Sequence, residues 1–140
     1  MNYKIGGNGD TLLFIHGLSD NLQYWKGLTS HLKRYFQVVR VDLRGHGGSE
    51  LGSEKISIDC YADDLMGLLD KLNIKRVNLI GFSLGGAVAL DFTIKYPQLV
   101  DSLILMSTFF KVGNIRQSYL KDLKKFLIMV LKSFLISFCL

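Results

Sequence analysis

The sequence predicts an α/β fold, a parallel sheet with helices on both faces. Two observations carry that prediction. Short continuous apolar runs recur along the chain and read as strands buried on both faces, and stretches with helical apolar spacing separate them. Each run also closes on a glycine or a polar residue, which sets the residues able to do chemistry at the carboxyl ends of the strands, where open parallel sheets bind ligands.

The elements follow in order. Leu12-Leu13-Phe14-Ile15 is the first strand, ended by His16-Gly17. A helix comes next, with Trp25, Leu28, Leu32 and Tyr35 as its apolar stripe and Ser19, Asp20 and Asn21 available to cap it. Val38-Val39-Arg40-Val41 runs into Asp42 as the second strand. Ser57 caps a second helix whose stripe is Tyr61, Leu65, Leu68, Leu69 and Leu72. Val77-Asn78-Leu79-Ile80 enters Gly81 as the third strand, and the third helix runs from there through Ala87, Val88, Leu90 and Phe92 to Tyr96, where Pro97 stops it. Ser102 to Met106 makes a fourth strand. No repeat, low-complexity tract or linker divides the chain.

The 140 residues suffice for one domain, although many-stranded α/β domains run to roughly 200–250. The sequence is therefore read as an incomplete domain, 1–110 forming its N-terminal part and 111–140 a basic, apolar, helical tail. The net charge of +5 would suggest nucleic acid or an anionic membrane if it formed a basic face. It does not, because Met1 to Phe110 holds eleven basic and eleven acidic residues. The excess comes from Lys111, Arg116, Lys121, Lys124, Lys125 and Lys132 against Asp122 alone, so no nucleic-acid partner is expected. Two cysteines, Cys60 and Cys139, make no disulfide framework. With no apolar signal segment at the start, the expected compartment is cytoplasmic.

Gly81-Phe82-Ser83-Leu84-Gly85-Gly86 contains G-x-S-x-G between a strand and a helix. That context makes a nucleophile elbow, a tight turn that exposes the serine hydroxyl on a strained corner. Small residues at 81, 85 and 86 let the backbone turn and the helix approach its neighbours. The N–H of Leu84, at the positive end of the helix, points toward an oxyanion formed by attack of Ser83 on a carbonyl. No metal-ligand spacing and no phosphate-cradling loop is present, so neither a metal nor a cofactor is expected.

Three motifs in order, Phe14-Ile15-His16-Gly17-Leu18, Asp42-Leu43-Arg44-Gly45-His46-Gly47-Gly48-Ser49 and the elbow, resemble the N-terminal part of an α/β-hydrolase-fold protein, over about Leu12 to Ser107. Trp25 stands where the next helix of that family often has tryptophan. The resemblance implies a serine hydrolase acting on small ester-like substrates, with Ser83 as nucleophile and the N–H groups of Leu18 and Leu84 as oxyanion donors. It also implies that His16, Gly17, Gly81, Phe82, Gly85 and Gly86 shape the site, and that the Arg44 loop is structural.

In that family the acid and then the histidine follow the serine. Here His16, His31 and His46 all precede Ser83 and no histidine follows it. Asp91 falls inside the elbow helix and Asp101 at the wrong end of a strand to orient a base. His16 is read as structural, His46 as a loop residue and His31 as solvated. The chain is thus expected to carry nucleophile and oxyanion hole without a base, as a truncated or split enzyme that a complementary C-terminal fragment would complete. The alternative is a non-catalytic hydrolase-fold protein that keeps the cleft for binding. The apolar stretch from Phe126 to Leu140 is read as the start of a helical cap, with a tail altered by frameshift or early stop and a membrane-associated helix as alternatives.

Overall fold

The computed structural model describes residues 1–53 and 56–108, and the backbone of 128–131. Six strands form one sheet: β1 (Tyr3–Gly6), β2 (Thr11–Ile15), β3 (Gln37–Val41), β4 (Val77–Phe82), β5 (Val100–Met106) and β6 (Ile128–Leu131). Their order is β1-β3-β2-β4-β5-β6. All neighbours are parallel except β1, which pairs antiparallel with β3. The helices are α1 (Lys26–Leu32), α2 (Ile58–Lys71) and α3 (Leu84–Lys95), and a 3-10 turn at Leu22–Trp25 leads into α1.

The chain leaves β2 in one direction to make β3 and returns past it to make β4, so β2 lies at the switch in strand order, where a crevice opens beyond the carboxyl ends. Register fixes what meets there. Ile15 is level with both Val41 and Gly81, so His16, Asp42 and the elbow emerge side by side on one edge. Two cores hold the sheet. On one face α2 and α3 pack Tyr61, Leu65, Leu69, Val88 and Phe92 against Leu13, Ile15, Val39, Leu79 and Leu103. On the other, Trp25 packs with Phe14, Val38 and Ile80. Helices on both faces of a mostly parallel sheet are what the alternation of apolar runs and helical stripes implies.

Three differences from the sequence reading have local causes. β1 has no continuous apolar run: it is an edge strand whose Lys4 and Ile5 are exposed, so no burial pattern marks it. The first helical stripe also breaks up. Trp25 is buried but lies in the 3-10 turn, while Leu28 and Tyr35 are 53% and 73% exposed. The buried residue of α1 is Thr29, whose hydroxyl donates to the Trp25 carbonyl at 2.7 Å. Finally, Ile128–Leu131 is not helical but extends the sheet beside β5, with Leu103 level with Ile128. Four consecutive apolar residues, two of them β-branched, suit a short strand as well as a turn of helix, and sheet pairing decides between them. The rest of the tail reading, with the boundary at residue 110, lies outside the described residues. Ser57 and Pro97 act as the sequence predicts: the Ser57 hydroxyl caps α2 by accepting from Cys60 N–H, and Pro97 opens a 3-10 turn beyond α3.

Candidate active site

Ser83 joins β4 to α3 with φ 51° and ψ −113°, a conformation that is costly for any residue with a Cβ. The surrounding glycines make this turn feasible. A Cβ on Gly81 would run into the backbone of Gly85 and Gly86, and one on Gly85 into the carbonyls of Ile15 and His16. The first turn of α3 can therefore sit directly on the end of β2 only because these positions lack side chains. Ser83 N–H donates to the Met106 carbonyl at 2.9 Å, and the Ser83 carbonyl accepts from Gly86 N–H at 3.0 Å and from the Thr108 hydroxyl at 2.7 Å. Ser83 is half-buried, and its hydroxyl bonds to no other described residue.

Gly17 brings the second strand end against this turn. A Cβ there would lie 3.4 Å from Ser83 Cβ and 3.0 Å from the Phe82 ring, so the Gly17–Leu18 backbone passes immediately beside the serine. Phe82, stacked on Tyr24 with ring centroids 5.1 Å apart, supports the loop from the side of α1. The Leu18 side chain is 71% exposed. The N–H groups of Leu18 and Leu84 bond to no other described residue, and that of Leu84 is one of the orphan donors at the start of a helix.

His16 is fully buried and both its ring nitrogens are committed. Nε2 accepts the Leu43 N–H at 3.0 Å, which an N–H donor requires, so the proton sits on Nδ1 and is donated to the Gly17 carbonyl at 2.7 Å. Burial pushes the imidazole below its ordinary pKa, helped by the neighbouring His46 ring and opposed by the bond to Gly17. A neutral imidazole with both nitrogens occupied has no lone pair to offer Ser83. His46 is half-buried in its glycine-rich loop, with Nδ1 3.0 Å from the Arg44 carbonyl, and His31 is exposed near the end of α1. Asp101 pairs with Arg76 at the far end of β5.

Asp42 ties the rim together. Its carboxylate accepts from Leu22 N–H at 2.6 Å, Gly48 N–H at 2.8 Å and the Asn2 amide at 2.7 Å. Burial alone would raise this carboxyl, but the donors outweigh burial and hold it below the ordinary carboxylate range. Arg44 forks onto Asp64 of α2 at 2.7 and 2.9 Å, and the Ser49 hydroxyl donates to the Asp42 carbonyl at 2.6 Å. Gly45 and Gly47 turn the loop at φ 73° and 51°. The whole Asp42–Ser49 segment is thus a structural clamp. A cavity of about 700 Å³ beside it, lined by Asn2, Arg44, Ser49, Glu50 and Asp64, does not include the serine. Thr108 is the residue at this edge that the sequence reading passed over. The available signal was its place just past a strand's carboxyl end, shared with His16 and Asp42. Among the described residues no cluster of three or more His, Cys, Asp or Glu could hold a metal ion, and no helix is long and apolar enough to cross a membrane.

A strained serine between strand and helix, with a glycine loop from the neighbouring strand beside it, is the architecture of the alpha/beta hydrolase fold. The sequence profile of the alpha/beta hydrolase fold matches residues 10–135, and the chain belongs to that family. It is 44% identical to an uncharacterized protein of Mycobacterium tuberculosis over 75% of this chain and 31% of that one. It is 35% identical to a 2-(acetamidomethylene)succinate hydrolase of Mesorhizobium japonicum over 74% of this chain and 37% of that one. A thermophilic esterase from Thermogutta terrifontis superimposes with a TM-score of 0.75 at 30% identity, covering 89% of this chain and 45% of the esterase. The chain spans about a third of the length of these curated relatives.

Proposed function

We propose that Ser83 is the nucleophile of an acyl-transfer hydrolase acting on small ester-like substrates. The observation that carries this reading is the strained Ser83 turn, with its hydroxyl and the two neighbouring N–H groups without a partner among the described residues. Oγ attacks the substrate carbonyl carbon, and the carbonyl electron pair moves to its oxygen, which the N–H groups of Leu18 and Leu84 receive. The Oγ proton passes to a base. Collapse of the tetrahedral intermediate breaks the ester C–O bond, the leaving oxygen departs with the electron pair, and water then hydrolyses the acyl-serine.

The base is the unfilled role. His16 is committed at both nitrogens, His46 Nδ1 lies against the Arg44 carbonyl, and His31 is exposed in the last turn of α1. We assign proton transfer to a histidine on polypeptide beyond these 140 residues, in a complementary C-terminal segment. In serine hydrolases loss of the histidine alone costs about 10⁶ in turnover, so these residues by themselves should be nearly inert.

Free imidazole can stand in for that base. The 140-residue chain is incubated with p-nitrophenyl acetate and imidazole, and the peptide bearing Ser83 is weighed by mass spectrometry. Acetylation at Ser83 much faster than at the exposed Ser30 supports the assignment, since acetylimidazole formed in solution would favour the exposed hydroxyl; a Ser83 acetylated no faster than Ser30 refutes it. The commitment of His16 also favours a second reading, a non-catalytic protein that retains the cleft for binding. Serine-dependent turnover without added imidazole would exclude that reading.

A further inference from the structure

We propose that Thr108 is a positioning residue that aims the Leu84 N–H at the developing oxyanion. This rests on the reading of Ser83 as nucleophile and extends it to a residue outside every motif. The Ser83 carbonyl and the Leu84 N–H are opposite ends of one planar peptide unit, so fixing one end fixes the direction of the other. The Thr108 hydroxyl donates to that carbonyl at 2.7 Å, while Ser83 N–H is held by the Met106 carbonyl at 2.9 Å. Both flanks of the strained residue are therefore gripped from the exit of β5, a strand that contributes no group to the reaction. The Thr108 side chain also fills the notch over Gly86, within reach of any Cβ placed there, so its hydroxyl is held against the carbonyl by packing.

The second oxyanion donor is built the same way. The Leu18 N–H shares a peptide with the Gly17 carbonyl, and that carbonyl accepts the His16 Nδ1 proton at 2.7 Å. Each donor peptide is thus pinned at its oxygen by a side chain, His16 for Leu18 and Thr108 for Leu84. A hydrogen bond at the oxygen also polarises the peptide, which makes its N–H a better donor. Strained backbone persists only where its surroundings over-determine it. At the Ser83 carbonyl the α3 bonds from Gly86 and Ala87 supply part of that restraint and Thr108 supplies the part that lies outside the helix.

Thr108→Val keeps the shape over Gly86 and removes the hydroxyl; Thr108→Ser keeps the hydroxyl. In the ¹⁵N-labelled 140-residue chain, Thr108→Val should move the Leu84 amide proton upfield by more than the amides in the rest of α3, and Thr108→Ser should leave it near its wild-type position. With p-nitrophenyl acetate and imidazole, acetylation of Ser83 should slow about tenfold in Thr108→Val, the factor one ordinary hydrogen bond carries, and recover to within about threefold in Thr108→Ser. A Leu84 resonance unmoved in Thr108→Val overturns the proposal whatever the acetylation rate. So does a Thr108→Val chain that loses thermal stability yet acetylates at the wild-type rate per folded molecule, since that is the mark of a merely structural contact. If the Leu84 amide moves as expected but wild-type Ser83 is never acetylated, the orienting contact stands and it is the nucleophile assignment that has failed.

Discussion

Asp42 and His16 are the two buried ionisable residues at the site's edge, and each is held in one protonation state by its neighbours. Asp42 accepts three hydrogen bonds from separate stretches of chain and has no ion pair among the described residues. Asp42→Asn turns an NH₂ toward one of those donors and should cost about 2–3 kcal/mol, the price of a buried donor left facing a donor, read as a lower urea midpoint at pH 7. Acid should reveal both residues. The folded His16 pKa lies below 6.5, so the unfolded chain binds the extra proton first and stability falls as pH drops from about 6.5 toward the folded value. The folded Asp42 pKa lies below 3.8, so its contribution is intact above that value and is lost as pH falls through the lower folded one. Urea midpoints that stay flat from pH 7.5 to 5 would contradict the His16 environment described above.

Among the elements, the contact of α3 with β2 decides whether the site exists, because it sets the elbow on the strand that carries Gly17. Besides the apolar packing of Val88, Ala89 and Phe92, two kinds of interaction hold α3. Lys95 reaches Asp59 and Asp63 of α2, and Tyr96 donates to Asp63 at 2.8 Å, but these groups are largely exposed and such pairs contribute at most about 1 kcal/mol. The backbone approach at Gly85 is tighter. Gly85→Ala drives a methyl into the Ile15 and His16 carbonyls and should cost about 3 kcal/mol, whereas Lys95→Ala should cost under about 1 kcal/mol, both read by chemical denaturation. Equal effects would refute the ranking. The same elements show what the sequence could reveal. Strands β2 to β5 are legible because burial leaves continuous apolar runs, and the elbow because Gly81 and Gly85 are required by backbone contact and Gly86 by the Thr108 side chain. β1 is illegible because an edge strand has little to bury, and α1 because its entry turn, not its helix, carries Trp25. Thr108 leaves only its place past the end of β5 as a signal, because a single hydroxyl acting across two strands makes no periodicity and no motif.

For the molecule as a whole, the proposed reading of Ser83 gives the described residues one half of a reaction, a nucleophile and two donors gathered from β2 and β4, while His16 beside them is committed at both ring nitrogens. On the face shared with α1, a groove of about 500 Å³ lined by Leu12, Phe14, Leu32, Ile80, Ile104 and Met106 lies open among the described residues. If the base is indeed external, the acetylation of Ser83 should rise linearly with imidazole concentration, and its pH dependence should follow the titration of imidazole near neutral pH, with no inflection from the protein. His46→Gln should leave that dependence unchanged. An acetylation rate independent of imidazole would place a base within the 140 residues, and loss of that rate in His46→Gln would identify it, since His46 is the histidine nearest the site whose Nε2 has no described partner. The linear response is expected because a site pre-organised by Gly17, Gly81 and Gly85 needs only a proton acceptor to complete its first chemical step, and a small diffusing base reaches Ser83 wherever a substrate can.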